Sequence, residues 1–161
     1  MKINTLTVLR KNGHVVLGKK IPGSFGEGLW NFPGGKVKHG EDIDQAANRE
    51  TEEETGVNMS VFEKRGIATF DFEDGTESRE VHIFECTDWK GKLLPKSKEF
   101  DPIQFWDEKH LPSEMWPGDI FWLPTFFSGE KFRGHFVYNH PPYKPGAKVL
   151  KHEIIIVETF D

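Results

Sequence analysis

Residues 42–56 carry the signals for both ends of a helix, and few segments of this chain constrain its fold as strongly. Asp42 with Gln45 three positions on forms a capping box, and Gly56 suits a left-handed helix end. Inside this helix Glu50, Glu53 and Glu54 fall at i, i+3 and i+4, which places three carboxylates on one face within a turn of each other. Like charges at that spacing destabilise a bare helix, so a counter-charge is expected. A hard divalent cation fits, because Mg²⁺ prefers oxygen ligands and keeps room for water and phosphate. Arg49 is adjacent and can orient a neighbouring carboxylate. The plain alternative is a solvated acidic face, the usual fate of a Glu-rich helix.

The rest of the chain reads mainly as strands. Residues 6–9 and 14–17 are β-rich runs joined by Lys11-Asn12-Gly13, a tight-turn signal. Residues 18–40 carry seven glycines and two prolines and read as a long irregular loop of functional type. Residues 57–72 are strand-like, with Ala68, Phe70 and Phe72 on one face and Ile67, Thr69 and Asp71 on the other. Asp74-Gly75 marks a hairpin turn. Residues 79–86, 103–106, 132–138 and 153–160 read as further strands, residues 120–127 as a short helix, and residues 140–146 as a Pro-rich loop. Strands on both sides of one amphipathic helix predict an α/β sandwich on a mixed sheet. No repeat or linker divides residues 1–161, so a single domain is expected.

Composition narrows the class. Hydrophobic residues make up 36% of the chain, enough for a core, and its 5 Trp, 2 Tyr and 14 Phe hint at a pocket with flat faces. A net charge of -5 argues against a domain held to nucleic acid by a basic surface. Cys86 is the only cysteine, so no internal disulfide is expected. No run approaches the roughly 20 apolar residues that span a bilayer, and polar residues interrupt the N-terminus too early for a signal-peptide core. A cytoplasmic protein without a membrane partner is expected. Gly23, Gly26 and Gly28 lack the Gly-Lys-Ser/Thr of a phosphate loop, and the histidines are scattered without zinc spacing.

Residues 34–57, GGKVKHGEDIDQAANRETEEETGV, fit the pattern G-x5-E-x7-R-E-U-x-E-E-x-G-U, where U is a bulky apolar residue. Gly35, Glu41, Arg49, Glu50, Glu53, Glu54, Gly56 and Val57 are in register, and Thr51 at the first U departs from it. By this segment the chain resembles the Nudix hydrolases, which cleave nucleoside diphosphates linked to another group. The resemblance implies an α/β/α sandwich around a mixed sheet. It also implies Mg²⁺, with Mn²⁺ as the alternative, held by Glu50, Glu53 and Glu54 with the Gly34 carbonyl and Glu99. Arg49 belongs to the same catalytic group. Any of the helix carboxylates can serve as the base toward water, and Glu99 reads equally as a solvated loop residue.

The likeness extends beyond that box. Gly23-Ser24-Phe25-Gly26, Leu29-Trp30-Asn31, Val81-His82-Ile83-Phe84, Met115-Trp116-Pro117-Gly118-Asp119 and Lys131-Phe132-Arg133-Gly134 resemble, in order, the animal-type MutT homologues. These Nudix enzymes act on oxidised purine nucleoside triphosphates such as 8-oxo-dGTP. The resemblance implies a base pocket of Thr5, Phe25, Asn31, Phe70, Trp116 and Asp119, with Lys20 beside it. Aromatic faces can stack a purine, and Asn and carboxylate groups can pair with its edge. Each of these residues also has an ordinary reading: Phe25 and Phe70 as core, Trp116 as a packing anchor, Asp119 as a helix cap. One departure is specific. Where those relatives have two adjacent aspartates, this chain has Gly118-Asp119. The segment after Asn139 also departs and receives no role.

The reading at this stage is a metal-dependent pyrophosphohydrolase that releases a nucleoside monophosphate and pyrophosphate, acting as a monomer in nucleotide-pool sanitation. The alternatives are a Nudix hydrolase for another nucleoside diphosphate-linked substrate and a catalytically silent module that senses nucleotides.

Overall fold

The computed structural model describes residues 1–161. Its elements run β1 (Lys2–Lys11), β2 (His14–Lys20), β3 (Trp30–Asn31), β4 (Gly34–Lys36), α1 (Ile43–Thr55), β5 (Asn58–Phe72), β6 (Arg79–Lys90), β7 (Phe100–Asp107), α2 (Asp119–Phe127), β8 (Lys131–Tyr138) and β9 (Val149–Val157). The β1–β2 turn is tight because Asn12 and Gly13 both take positive φ, 53° and 74°, as a two-residue hairpin loop requires. The Asp42–Gln45 capping box opens α1, and Gly56 closes it at φ 83° with its N–H donating to the Glu52 carbonyl.

The strands form one mixed sheet in the order β3-β2-β1-β6-β5-β8-β9, with β4 paired to β1 and β7 to β2. The β1–β6 and β5–β8 pairs are parallel, and the remaining pairs are antiparallel. Side-chain alternation along these strands builds two cores. Val8 on β1, Ile83 on β6 and Ala68 and Phe72 on β5 pack with Trp122, Leu123 and Phe126 of α2. The adjacent residues Leu9 and Phe84, with Val16, pack with Ala47 of α1. A period of two on strands between two helices therefore yields the expected α/β/α sandwich.

Three details differ from the sequence reading. The stretch 18–40 is less irregular than its glycines suggest, because β2 reaches Lys20 and the short β3 and β4 lie within it. Their pairing partners, β2 and β1, are distant or topologically distinct segments that local pattern does not reveal. The Asp74-Gly75 turn does join β5 and β6 as an antiparallel hairpin, but through a longer connection than a tight turn, because the β5–β6 pairing stops at Phe70 with Arg79 and Asp71 and Phe72 pair only with β8. The last strand begins at Val149 rather than residue 153 and stops at Val157, following its register with β8.

Candidate active site

Packing of α1 on β1 and β4 brings the acidic helix face to the mouth of a cavity of about 230 Å³ between the β4 backbone and α2. Glu54 is 4% exposed, and one of its carboxylate oxygens accepts a hydrogen bond from the Gly34 N–H at 2.9 Å. Glu50 lies against Gly35, where any Cβ would collide with its carboxylate. The Arg49 guanidinium donates to Glu50 at 2.8 Å, to both oxygens of Glu41 at 2.7 and 2.9 Å, and to the Lys36 carbonyl at 3.0 Å. Arg49 is thus a positioning residue that ties the helix to the preceding loop. Glu41 has a structural role the sequence reading left unassigned. Beside Arg49 its carboxyl is pulled down to about 2. Glu53 points outward, with its side chain 57% exposed and 3.4 Å from Arg49.

The carboxylates are not gathered into a ready three-ligand cluster. Burial raises the Glu54 carboxyl well above its ordinary range, and Glu99 and Glu50 push it further up. Burial also raises Glu50, with Glu53 and Glu99 adding to the rise. Concentrated negative charge facing a cavity, beside glycines that leave no room for Cβ atoms, suits a hard divalent cation. Glu99 also accepts a hydrogen bond from Lys20 Nζ at 3.0 Å, and both line the cavity.

The other end of the cavity is aromatic. Phe25 and Trp116 lie 6.2 Å apart between ring centroids, and Phe70 and Trp116 lie 6.1 Å apart. Phe70 stacks on Phe136 at 5.2 Å, so its ring is both wall and core. Phe25 is 41% exposed, which places it at the rim rather than in the core. Thr5, Lys20, Phe25, Asn31, Phe70, Trp116 and Asp119 all line this one cavity, together with Gly34, Glu54 and Glu99. Glu50 meets it through Gly35, and Glu53 does not line it.

A profile of the NUDIX domain matches residues 2–126. The chain belongs to the Nudix family. It is 41% identical over 138 residues to a Danio rerio protein named oxidized purine nucleoside triphosphate hydrolase, covering 85% of this chain and 86% of that one. It is 36% identical over 137 residues to the Mus musculus protein of the same name, again covering 85% and 86%. Among solved structures, a MutT protein from Bacillus halodurans shares the fold with a TM-score of 0.81 at 24% identity, over 96% of this chain and 97% of that one. Nudix hydrolases generally use divalent metal ions, and the acidic end of this cavity fits one.

This Nudix pocket also contains residues that sequence reasoning missed. Asn4 and Arg79 line it, and Tyr143 from the Pro-rich loop packs against Phe25 at 6.2 Å. The loop after Asn139 therefore contributes to the pocket rim. Gly118 has a packing reason as well. Its N–H donates to the Tyr138 hydroxyl at 2.7 Å, and a Cβ there would lie 2.8 Å from that oxygen and 3.2 Å from Phe136. The space a second aspartate would need is taken by Tyr138.

Asp119 is the first residue of α2 and not its cap; Gly118 holds that position. Its buried carboxylate accepts from the Trp122 indole N–H at 3.0 Å. Burial pushes Asp119 up to about 7 from the usual 3.8. The folded protein thus keeps a proton that the unfolded chain releases between about pH 4 and 7. Stability from this group is full below pH 4 and is lost as pH rises through about 7. Relative to Asp119→Asn, which does not titrate, the wild-type protein should lose stability of order 3 kcal/mol between pH 5 and 8. Paired thermal melts across that range check this, and parallel curves would contradict it.

Proposed function

We propose that this Nudix hydrolase cleaves oxidised purine nucleoside triphosphates, 8-oxo-dGTP foremost, to the monophosphate and pyrophosphate, and so clears them from the nucleotide pool. One observation carries the reading: an aromatic end with a buried carboxylate and an acidic end beside α1 share one cavity. The names of the Danio rerio and Mus musculus relatives agree with it.

Glu54, with Glu50, the Gly34 carbonyl and Glu99, would hold Mg²⁺, with the exposed Glu53 joining only by turning inward from the rim of the same helix face, and Mn²⁺ suits the same oxygen donors. A divalent ion there supplies Lewis acidity toward the phosphoryl oxygens. The chain's own groups do the rest. Phe25, Phe70 and Trp116 offer faces for a purine, worth roughly 1–3 kcal/mol per stacked base. Asn31, Asp119 and Thr5 address its polar edge. Thr5 Oγ1 is buried and has no hydrogen-bond partner in the protein, so it is free for a ligand. Lys20, held by Glu99, provides a cation beside the polyphosphate. Arg49 fixes the rotamers of Glu41 and Glu50. The reading includes a monomeric protein acting on the cytoplasmic pool.

The test is pyrophosphate release with Mg²⁺ across 8-oxo-dGTP, 2-hydroxy-dATP, methylated purine triphosphates, unmodified dNTPs and dinucleotides. We expect an oxidised purine to exceed its unmodified parent by about 10–100-fold in kcat/KM, in line with the roughly 1–3 kcal/mol that one good base contact is worth. Activity on dinucleotides alone would redirect the substrate, and silence across the panel would favour a nucleotide-sensing role.

A further inference from the structure

Arg79 differs from every other arginine in the chain. Arg10, Arg49, Arg65 and Arg133 each donate to a carboxylate or a carbonyl. Arg79 has no such partner, and its Nε is buried without a hydrogen bond. Alternation along β6 turns it to the same face as Val81 and Ile83, and all three line the cavity. The β5–β6 register sets it directly opposite Phe70. Its guanidinium lies 4.7 Å from the centroid of the Phe25 ring. It therefore belongs to the aromatic end, while Lys20 and Glu99 occupy the end beside α1.

Arg79 is only half-buried, but its Nε is sealed from solvent without an acceptor, and buried polar atoms that the protein leaves unmatched are completed by water or a ligand. Burial also weakens its hold on the proton, with Glu77 the opposing influence. Nearby, Asn4 Oδ1 is a buried acceptor that is likewise unmatched. One donor-only fork and one set of acceptors, Asn4 Oδ1 with the Asp119 carboxylate, thus face a single cavity.

We propose that Arg79 reads the base: its guanidinium donates to the acceptor edge of a 6-oxopurine, and this makes the pocket select guanine-type over adenine-type oxidised triphosphates. The inference rests on the reading that the cavity takes an oxidised purine nucleoside triphosphate. Arginine offers only donors. Guanine presents O6 as an acceptor and oxidation adds another at C8, whereas adenine presents an amino donor at C6, which would meet Arg79 donor to donor. Guanine's N1–H and 2-amino groups are donors and suit Asp119 and Asn4 Oδ1.

The experiment compares kcat/KM for 8-oxo-dGTP, 8-oxo-dITP and 8-oxo-dATP in the wild-type protein and in Arg79→Leu and Arg79→Lys, with a thermal melt of each. The wild-type protein should favour both 6-oxo substrates over 8-oxo-dATP by about 10–100-fold, the range one good base contact supplies. Arg79→Leu should cut that ratio about tenfold or more. Arg79→Lys should restore only part of the ratio, since an ammonium lacks the fork. If Arg79→Leu does not fold, Arg79→Gln carries the same comparison. A wild-type protein without 6-oxo preference, or a ratio unchanged within threefold in the variant, overturns the assignment to Arg79 alone. Wild-type inactivity on every oxidised purine removes the substrate reading beneath it.

Discussion

Glu54→Gln should lower kcat by about 10³-fold or more while leaving the fold intact, a loss of roughly 4 kcal/mol in transition-state stabilisation. Of the three helix carboxylates, Glu54 is the one sealed into the cavity wall, and the Gly34 N–H aims its carboxylate. A glutamine keeps the size and can still accept from Gly34, so folding survives. It removes the negative charge that a divalent cation requires. The control is Glu52→Gln. Glu52 accepts from Asn58 on the exposed side of α1 and should keep activity within about twofold, as surface changes away from such features are mild. Steady-state kinetics at saturating Mg²⁺, with a melt to show that folding is preserved, make the comparison. Equal activity in both variants would mean that Glu54 is a structural carboxyl tied to Gly34 and not part of a metal site.

Trp122→Ala should be the most destabilising single substitution near the site, at about 3–5 kcal/mol, the range for emptying a large aromatic site. In a domain of this size that lowers the melting temperature by roughly 10 °C. Trp122 is 1% exposed and packs against Phe32, Phe126 and Phe132. Its indole N–H is also the donor to Asp119, so truncation strips the buried carboxyl of that partner while opening the cavity floor. Trp122→Phe separates the two effects, since it retains most of the packing and loses only the N–H. It should cost about 1–2 kcal/mol. A loss as large for Phe as for Ala would assign the stability to the hydrogen bond rather than to packing.

How the site was assembled explains what could be read in advance. The acidic residues of α1, its capping box, its closing glycine and the Asn-Gly turn are local features. Residues three or four apart on a helix are neighbours whatever the rest of the chain does, so pattern alone reveals them. The side chains matched by resemblance came from five separated stretches, and nothing local says that Thr5, Lys20, Asn31, Phe70 and Asp119 meet. They meet because β1, β5 and α2 flank the same face.

Other features depended wholly on register and packing. Arg79 reads as an ordinary strand residue until β5 places Phe70 opposite it and the loop before β3 brings Phe25 over it. The alternation of Arg79 with Val81 and Ile83 was the one available clue, a charge in an otherwise apolar stripe. The Gly118 departure looks like a missing carboxylate in sequence. In three dimensions it is a site filled by Tyr138, twenty positions away. Glu53 and Glu54 are adjacent and chemically identical in sequence, yet one is exposed and the other sealed. The sequence by itself determined the helix, its charges and the sandwich, because periodicity and capping act over a few residues. The tertiary structure decided which carboxylate and which arginine face the cavity, because both depend on long-range strand register and on the space neighbouring side chains leave.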